Sequence, residues 1–455
     1  MKLKTIISFS TLAIVLLTAG FGCKGLTAAQ QAAVAPVTLE YWTVFDDVDA
    51  IQAEIGSFTA YRPYINVNVR QFRADELYQR LVEALAEDHG PDIISIQNRD
   101  VGKYFSKLVS MPASVQDTTV VVTKGQFSTN TTVTPQTLPT VTLAQMDSEY
   151  IKVVGDDVVK DSKIYGLPLS VDMLGVYYNK DLLDRAGIPQ PPTNWDEFQK
   201  DVKIITKYDK TTSKILQSGA ALGTGAKIEG SDDLLYVLFQ QSGLDFTAKN
   251  GFAIFNQTGQ SGVGVMNFYT DFANPTRDTY TWSDDLGTSL DAFVTGKTAF
   301  FFGYSYDYPI IKSRAPQLNF RLLPLFQLNP DKPVNAANYW IQTVTAKSKH
   351  QNEAWDLINY LTHSKATKDY LDRTNRPTAL RTYIADQKSK PELQPFVDQI
   401  LIAQNWYHGR DYTTAQKAIQ EMLTSWLQPV ADPAQVGQIQ GVILNQGADK
   451  INQTL

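Results

Sequence analysis

Tyr165-Gly166-Leu167-Pro168-Leu169-Ser170-Val171-Asp172-Met173-Leu174-Gly175-Val176-Tyr177-Tyr178-Asn179-Lys180-Asp181-Leu182-Leu183 is the most informative stretch of this 455-residue chain. Downstream of it, Pro189, Pro191 and Pro192 precede Thr193-Asn194-Trp195-Asp196-Glu197-Phe198. Asn194 or Thr193 can cap a helix there, with Asp196 or Glu197 closing a capping box. Upstream, Val37–Val44 reads as a strand ending at Phe45-Asp46-Asp47. Ile51, Ile55, Phe58 and Tyr61 then recur at helical spacing. Ile65, Val67 and Val69 alternate with polar residues as a strand does. Leu77, Leu81, Ala84 and Leu85 mark a second helix, Gly90-Pro91 breaks it, and Asp92–Ile96 reads as another strand. Strands alternating with helices imply βαβ units and a mostly parallel sheet, so the fold class is α/β.

Beyond this frame, helices are expected around Leu234–Phe239 and Ala354–Leu361, and mainly helical structure from Pro391 with breaks at Gly409 and Pro429. Phe293–Phe302 reads as a helix end followed by an apolar strand. Residues 114–143 are rich in Thr and Val, carry few charges and contain Pro135 and Pro139. They read as an insertion, a surface hairpin, with low-complexity disorder as the competing reading. No period of 20–50 residues repeats, which argues against solenoids and propellers.

A net charge of −6 argues against nucleic acid, because phosphate binding needs a basic surface. At the N-terminus, Lys2 and Lys4 precede a short apolar run, Ile6–Leu17, of signal-peptide length. Cys23 follows it as the only cysteine, so no intrachain disulfide is expected. Its position resembles that of the lipidation cysteine of bacterial lipoproteins. Gly22 fits that pattern, while Gly20 stands where Leu, Val or Ile is usual. Residues 1–22 are therefore read as a signal peptide and 23–36, rich in Ala and Gln, as a tether after a lipidated Cys23. Simple cleavage and an uncleaved anchor are the alternatives.

Several chemistries find no motif. Gly296-Lys297-Thr298 lacks the glycine a phosphate loop needs, since position 291 is Asp. Gly259-Gln260-Ser261-Gly262-Val263-Gly264 has no dinucleotide spacing and is expected to be a flexible loop. His89, His350, His363 and His408 form no zinc-ligand pair, and no Gly-x-Ser-x-Gly elbow occurs. With 47 Asp and Glu, a carboxylate pair for glycoside hydrolysis stays open, but none is singled out. No catalytic residue, cofactor or metal is expected.

The quoted block resembles the extracellular solute-binding proteins of ABC importers, family 1. The match continues through Arg185-Ala186-Gly187-Ile188, the Pro-Pro-Thr-Asn-Trp-Asp-Glu-Phe run, Gly90-Pro91-Asp92-Ile93-Ile94, Phe293–Gly303 and Ala354-Trp355, in family order over about residues 37–430. The resemblance implies a two-lobe, type II periplasmic-binding-protein-like fold. Each lobe has a central β-sheet flanked by helices, and ligand lies in the cleft between. On that basis residues 37–170 and 335–383 form lobe 1, and 171–334 and 384–455 lobe 2. It also implies closure by a hinge and delivery of a captured solute to permease subunits, by a monomer.

Sugars offer hydroxyls and a flat C–H face, so their sites combine carboxylates or amides with Trp and Tyr. The resemblance places Asp172 at the first hinge as a ligand-binding acid. It places Phe45 and Asp46, and likewise Gln97, Asn98, Arg99 and Asp100, after strands that face the cleft. Tyr304 and Tyr306 stand where relatives have an aromatic platform, Trp340 near a hinge crossing, and Trp406 with Tyr407 before the last long helices. Trp195 and Trp355 are assigned to packing. Tyr177-Tyr178 belongs to the family's strand pattern rather than to a ferric site. The expected function is capture of a mono- or oligosaccharide. The alternatives are a polyamine, polyol or other polar metabolite, whose cationic members would need several carboxylates, and a secreted glycoside hydrolase.

Overall fold

The computed structural model describes residues 26–126 and 129–455. The signal-peptide and Cys23 readings lie outside the described residues. Within the expected tether, Ala28–Ala33 forms a short helix, capped reciprocally by Thr27 and Gln30, that buries no side chain. Among the described residues, no helix is long and apolar enough to cross a membrane.

Two sheets organise the body. In the first, the strands run in the order Ile65–Gln71, Val37–Thr43, Ile93–Gln97, Trp340–Thr345 and Leu108–Val109, and Leu167–Pro168 also pairs with Trp340–Thr345. The pairings of Val37–Thr43 with Ile65–Gln71 and with Ile93–Gln97 are parallel, as alternation with the helices Val48–Thr59 and Ala74–Ala86 requires. Trp340–Thr345 enters antiparallel from far along the chain and is buried at every residue.

The second sheet has the order Lys207–Tyr208, Ile215–Ala221, Thr298–Tyr304, Leu174–Asn179 and Phe320–Pro324. Thr298–Tyr304 is also buried at every residue, which fits a central strand covered on both faces. Gly175 lies where a Cβ would come within 2.5 Å of the Phe396 ring, so glycine lets the 394–397 segment dock on this sheet. Trp195 stacks on Phe302 with centroids 5.7 Å apart and donates from Nε1 to Gln241 Oε1 at 3.1 Å. Trp355 is equally buried. At the start of the Trp195–Ile205 helix, Asn194 Oδ1 accepts from the Glu197 N–H, while the Glu197 carboxylate accepts from the Thr193 N–H.

The chain passes from the first sheet to the second through 169–173, inside the quoted block, and returns through 335–339. It leaves again between Leu380, which bridges to Tyr150, and Phe396 on Gly175.

One expectation is overturned. Gly259–Gly264 is not a loop but the first turns of the helix Gly259–Thr270. Val265, Met266 and Tyr269 give that helix a buried face. Gly262 sits so tightly against Thr258 and Phe239 that a side chain would clash. Gly262 serves close packing, and Gly259 takes the positive φ at the helix start, so tertiary and backbone demands outweigh poor helix propensity.

The Thr/Val-rich insertion is a hairpin, Ser114–Lys124 against Thr129–Pro139. Its root is buried at Val115 and its outer part exposed at Val121 and Val122. The Asn352 side-chain amide donates to the Gln116 carbonyl and accepts from its N–H, each at 2.7 Å. Arg62 lies between two carboxylates, with Nε 2.7 Å from Asp117 and 3.2 Å from Asp356. One guanidinium serves both, so burial and the Asp117 charge push the Asp356 carboxyl up to about 7. An acid raised on folding stabilises the fold at low pH, and that contribution is lost as pH rises through the folded value. Asp356→Asn should therefore flatten the fall in Tm between pH 5 and 8, read by thermal melts across that range.

Candidate functional site

Two of the passages between the sheets are hydrogen-bonded to each other, and the chain beyond the third pairs with one of them. Met173 bridges to Ala337, and the Asn338 N–H donates to the Asp172 carbonyl at 2.8 Å. Asn335–Ala336 pairs in parallel with Ala403–Gln404. Asp172 thus sits on the hinge itself. Its carboxylate is buried, accepting from Ser305 Oγ at 2.7 Å and from Arg376 Nη1 at 3.1 Å. Burial raises the Asp172 carboxyl above its ordinary range, although Arg376 and Ser305 pull it down. Arg376 Nη2 also donates to the Phe45 carbonyl at 2.8 Å, tying the end of the first strand to the hinge.

Around this point aromatic rings from both lobes converge. Phe45, 38% exposed, stacks on Tyr306 with centroids 5.4 Å apart and lies 5.7 Å from Trp340. Phe45 follows the Val37–Thr43 strand and Trp340 opens Trp340–Thr345, both in the first sheet. Tyr306 follows Thr298–Tyr304 in the second and stacks in turn on Tyr304 at 5.2 Å. The polar groups among the rings are linked. The Tyr306 hydroxyl donates to Glu229 Oε1 at 3.0 Å, Asn338 Nδ2 donates to that hydroxyl at 3.4 Å, and Gln97 Nε2 donates to Asn338 Oδ1 at 2.6 Å. An open cavity of about 580 Å³ borders Phe45, with Gln71, Phe72 and Arg73 among its walls.

The other sequence-predicted residues are engaged away from this cavity. Asp46 turns into the first lobe, accepting from Thr43 Oγ1 at 2.5 Å and Ser95 Oγ at 2.7 Å. Asn98 donates to Asp157 Oδ2 at 3.1 Å. Asp100 is buried beside Tyr78. Arg99 crosses to the acid pair Asp232 and Asp233 at the start of the Ser231–Gln241 helix. Trp406 Nε1 donates to Asp233 Oδ1 at 3.0 Å, and the Tyr304 hydroxyl donates to Asp233 as well. The Tyr407 hydroxyl is held by Thr454 within the second lobe.

The geometry thus gathers Phe45, Tyr306 and Trp340 in one aromatic cluster, with Gln97 linked to it through Asn338 and Asp172 linked to the Phe45 carbonyl through Arg376; it sets Arg99, Tyr304 and Trp406 in a second, buried cluster and engages Asp46, Asn98, Asp100 and Tyr407 elsewhere. Sequence reasoning missed Glu229, Arg376, Asp232 and Asp233. The last two could have been suspected from the run Glu229-Gly230-Ser231-Asp232-Asp233 before an apolar helix. No local pattern marks Arg376.

Among the described residues, Arg376 is the one cation on the Asp172 carboxylate. Removing a partner from a buried pair costs about 3–5 kcal/mol, because the charge left behind has no compensation. Arg376→Ala should lose stability on that scale in urea unfolding. Asp172→Asn combined with Arg376→Ala should recover a substantial part of it.

Comparison with known proteins agrees with this architecture. A multiple sugar-binding protein of Streptococcus mutans is 26% identical over 274 residues, covering 56% of this chain and 62% of that protein. A lactose-binding protein of Rhizobium radiobacter is 24% identical over 201 residues, 42% of each chain. The chain thus aligns with about two-fifths to three-fifths of the length of these relatives. Among solved structures, the cyclic α-maltosyl-1,6-maltose binding protein of Arthrobacter globiformis superposes with a TM-score of 0.70 at 18% identity, over 92% of this chain and 99% of that one. A solute-binding protein from Thermotoga lettingae bound with α-D-tagatose gives 0.67 at 18%, with the same coverage. These likenesses establish the two-lobe, type II periplasmic-binding-protein fold. The model of the bacterial extracellular solute-binding protein family matches residues 44–368, and this chain is a member of that family.

Proposed function

We propose that this protein captures a carbohydrate in the cleft between its lobes and delivers it to the membrane subunits of an ABC importer, acting as a monomer without catalysis. The observation that carries the reading is the convergence of Phe45, Trp340 and Tyr306 from opposite lobes beside Asp172, Glu229, Gln97 and Asn338. Aromatic faces take the C–H side of a sugar ring, while carboxylates and amides exchange hydrogen bonds with its hydroxyls. Because the rings belong to different lobes, a sugar between them would contact more protein when the cleft is closed. That difference in contact is what lets a ligand drive closure. The sugar-binding names of the relatives and the sugars in the similar structures support the same class. The family is extracellular, and lipidation at Cys23 would hold the protein at the membrane surface.

A polyamine is the second reading. Glu229, Asp172 and Asp307 are all raised above the ordinary carboxylate range, chiefly by burial, and Arg376 is the cation paired directly with Asp172. Such a surplus of acids would suit an ammonium ligand.

A thermal-shift screen against mono- and oligosaccharides, polyols and polyamines separates the two, since a ligand of the native state raises Tm by mass action. A shift with one sugar class is expected, and shifts with polyamines alone would select the second reading. Trp340→Ala should weaken sugar binding at least tenfold by calorimetry, about 1.4 kcal/mol, with a small change in Tm. A large loss of Tm at unchanged affinity would make the ring a packing element. Cys23→Ser should move the protein from the membrane to the soluble fraction of cells.

A further inference from the structure

Arg99 is the most enclosed cation described in this chain, 2% exposed, and its surroundings come from the opposite lobe. It follows the first-sheet strand Ile93–Gln97, and the adjacent Asn98 N–H donates to the Tyr339 carbonyl at 2.9 Å. From there its guanidinium reaches across the hinge, where Nη2 donates to the Ala337 carbonyl at 3.3 Å and to Asp233. Nη1 donates to the Tyr412 hydroxyl and lies 3.6 Å from Asp232, and the guanidinium carbon stands 4.9 Å above the Tyr412 ring.

The second lobe builds this pocket without Arg99. The Tyr412 hydroxyl donates to Asp232 Oδ2 at 2.7 Å and Gln416 Nε2 to Asp232 Oδ1 at 3.1 Å. Trp406 and Tyr304 donate to Asp233. Neither carboxylate is accessible to solvent. Two acids at a helix start, walled by Trp406, Tyr304 and Tyr412, have the chemistry that recognises a planar cation. The site is not merely acidic, because a buried guanidinium is aimed into it, and the Nε of that guanidinium has no hydrogen-bond partner among the described residues.

We propose that the Asp232–Asp233–Tyr412–Trp406 pocket is a guanidinium-binding cage whose resident ligand is Arg99, and that this internal ligand holds the lobes together in the absence of solute. Separating the lobes withdraws the guanidinium and leaves two buried carboxylates without a cation. The closed arrangement therefore carries a contact that opening must break. Captured solute adds to a bias already present, which sets how far the unliganded population lies from closure. The cage also ends the usable cleft on its side, since Arg99 fills the space between hinge and helix. The proposal holds whatever solute the protein takes.

The test needs no solute. The full chain, with Cys23→Ser, would carry spin labels at Val82→Cys on the first lobe and Ile204→Cys on the second, both exposed positions. Pulsed dipolar spectroscopy then reads the interlobe distance. Arg99→Ala should shift the distribution away from that of the Arg99 protein and broaden it. Ethylguanidinium added to Arg99→Ala should occupy the cage and raise Tm without restoring the original distribution, because it has no covalent link to the first lobe, and it should leave the Arg99 protein unchanged. Should uncompensated acids prevent Arg99→Ala from folding, Arg99→Met with Asp232→Asn and Asp233→Asn removes all three charges. That variant should also show the shifted distribution but ignore ethylguanidinium. An interlobe distribution identical to that of the Arg99 protein in whichever variant folds would overturn the proposal, as would a folded Arg99→Ala protein indifferent to ethylguanidinium.

Discussion

The first two passages that join the lobes are bonded to each other and to the strand after the third, and the rest of the architecture depends on that constraint. Met173 to Ala337, Asn338 to Asp172 and Ala336 to Gln404 form a narrow band of backbone pairing between two large sheets. Backbone groups inside a protein must find partners, and here they find them in neighbouring passages rather than in either sheet. Each sheet keeps a strand buried at every residue, Trp340–Thr345 in one and Thr298–Tyr304 in the other, while the band between them is the narrow place where bending is easiest. Asp172 stands on this band, so its carboxylate's contacts with Ser305 and Arg376 are made at the junction of the lobes.

Burial and charge are in tension throughout the site. Asp172, Glu229, Asp233 and Asp307 are all raised in pKa chiefly by desolvation, and each is countered by specific donors: Ser305 and Arg376, the Tyr306 hydroxyl, Arg99 with Tyr304, and the Tyr304 N–H. The same residue types thus perform different tasks according to their partners. Asp172 and Glu229 are held next to the ring cluster by Ser305, Arg376 and the Tyr306 hydroxyl. Asp232 and Asp233 are saturated from within the protein, and Asp46 is absorbed by Thr43 and Ser95.

Much of this was legible in the sequence where the signal is local. The α/β alternation, the first-lobe strands, the hairpin and the helix start at Asn194 follow from periodicity, turn residues and capping, which act over a few positions. Asp172 and Trp340 could be singled out because each lies within or beside a recognisable block. What a side chain does after leaving its strand was not legible. Asn98, Arg99 and Asp100 are consecutive, yet they contact Asp157, the Asp232–Asp233 pair and Tyr78. Arg376 was invisible because its meaning comes from Asp172, distant in the chain. The glycines at 259–264 misled because the close packing at Gly262 and the positive φ at Gly259 call for the same residue that loop flexibility does.

The position of Trp340–Thr345 within the first sheet has a consequence for assembly. That strand lies between Ile93–Gln97 and Leu108–Val109, so the first lobe lacks an interior strand until the chain has been made past residue 345. The strands of the second sheet lie entirely between residues 174 and 324, and they are complete before that point. Local contacts form sooner than distant ones. The middle of the molecule is therefore able to fold ahead of its beginning, and the N-terminal strands must wait with an open edge beside Ile93–Gln97. An unpaired edge is where a chain is most exposed to wrong partners. Between Gln97 and Trp340 the edge beside Ile93–Gln97 thus has no partner from the chain, and the length of that interval is set by the size of the lobe inserted between them.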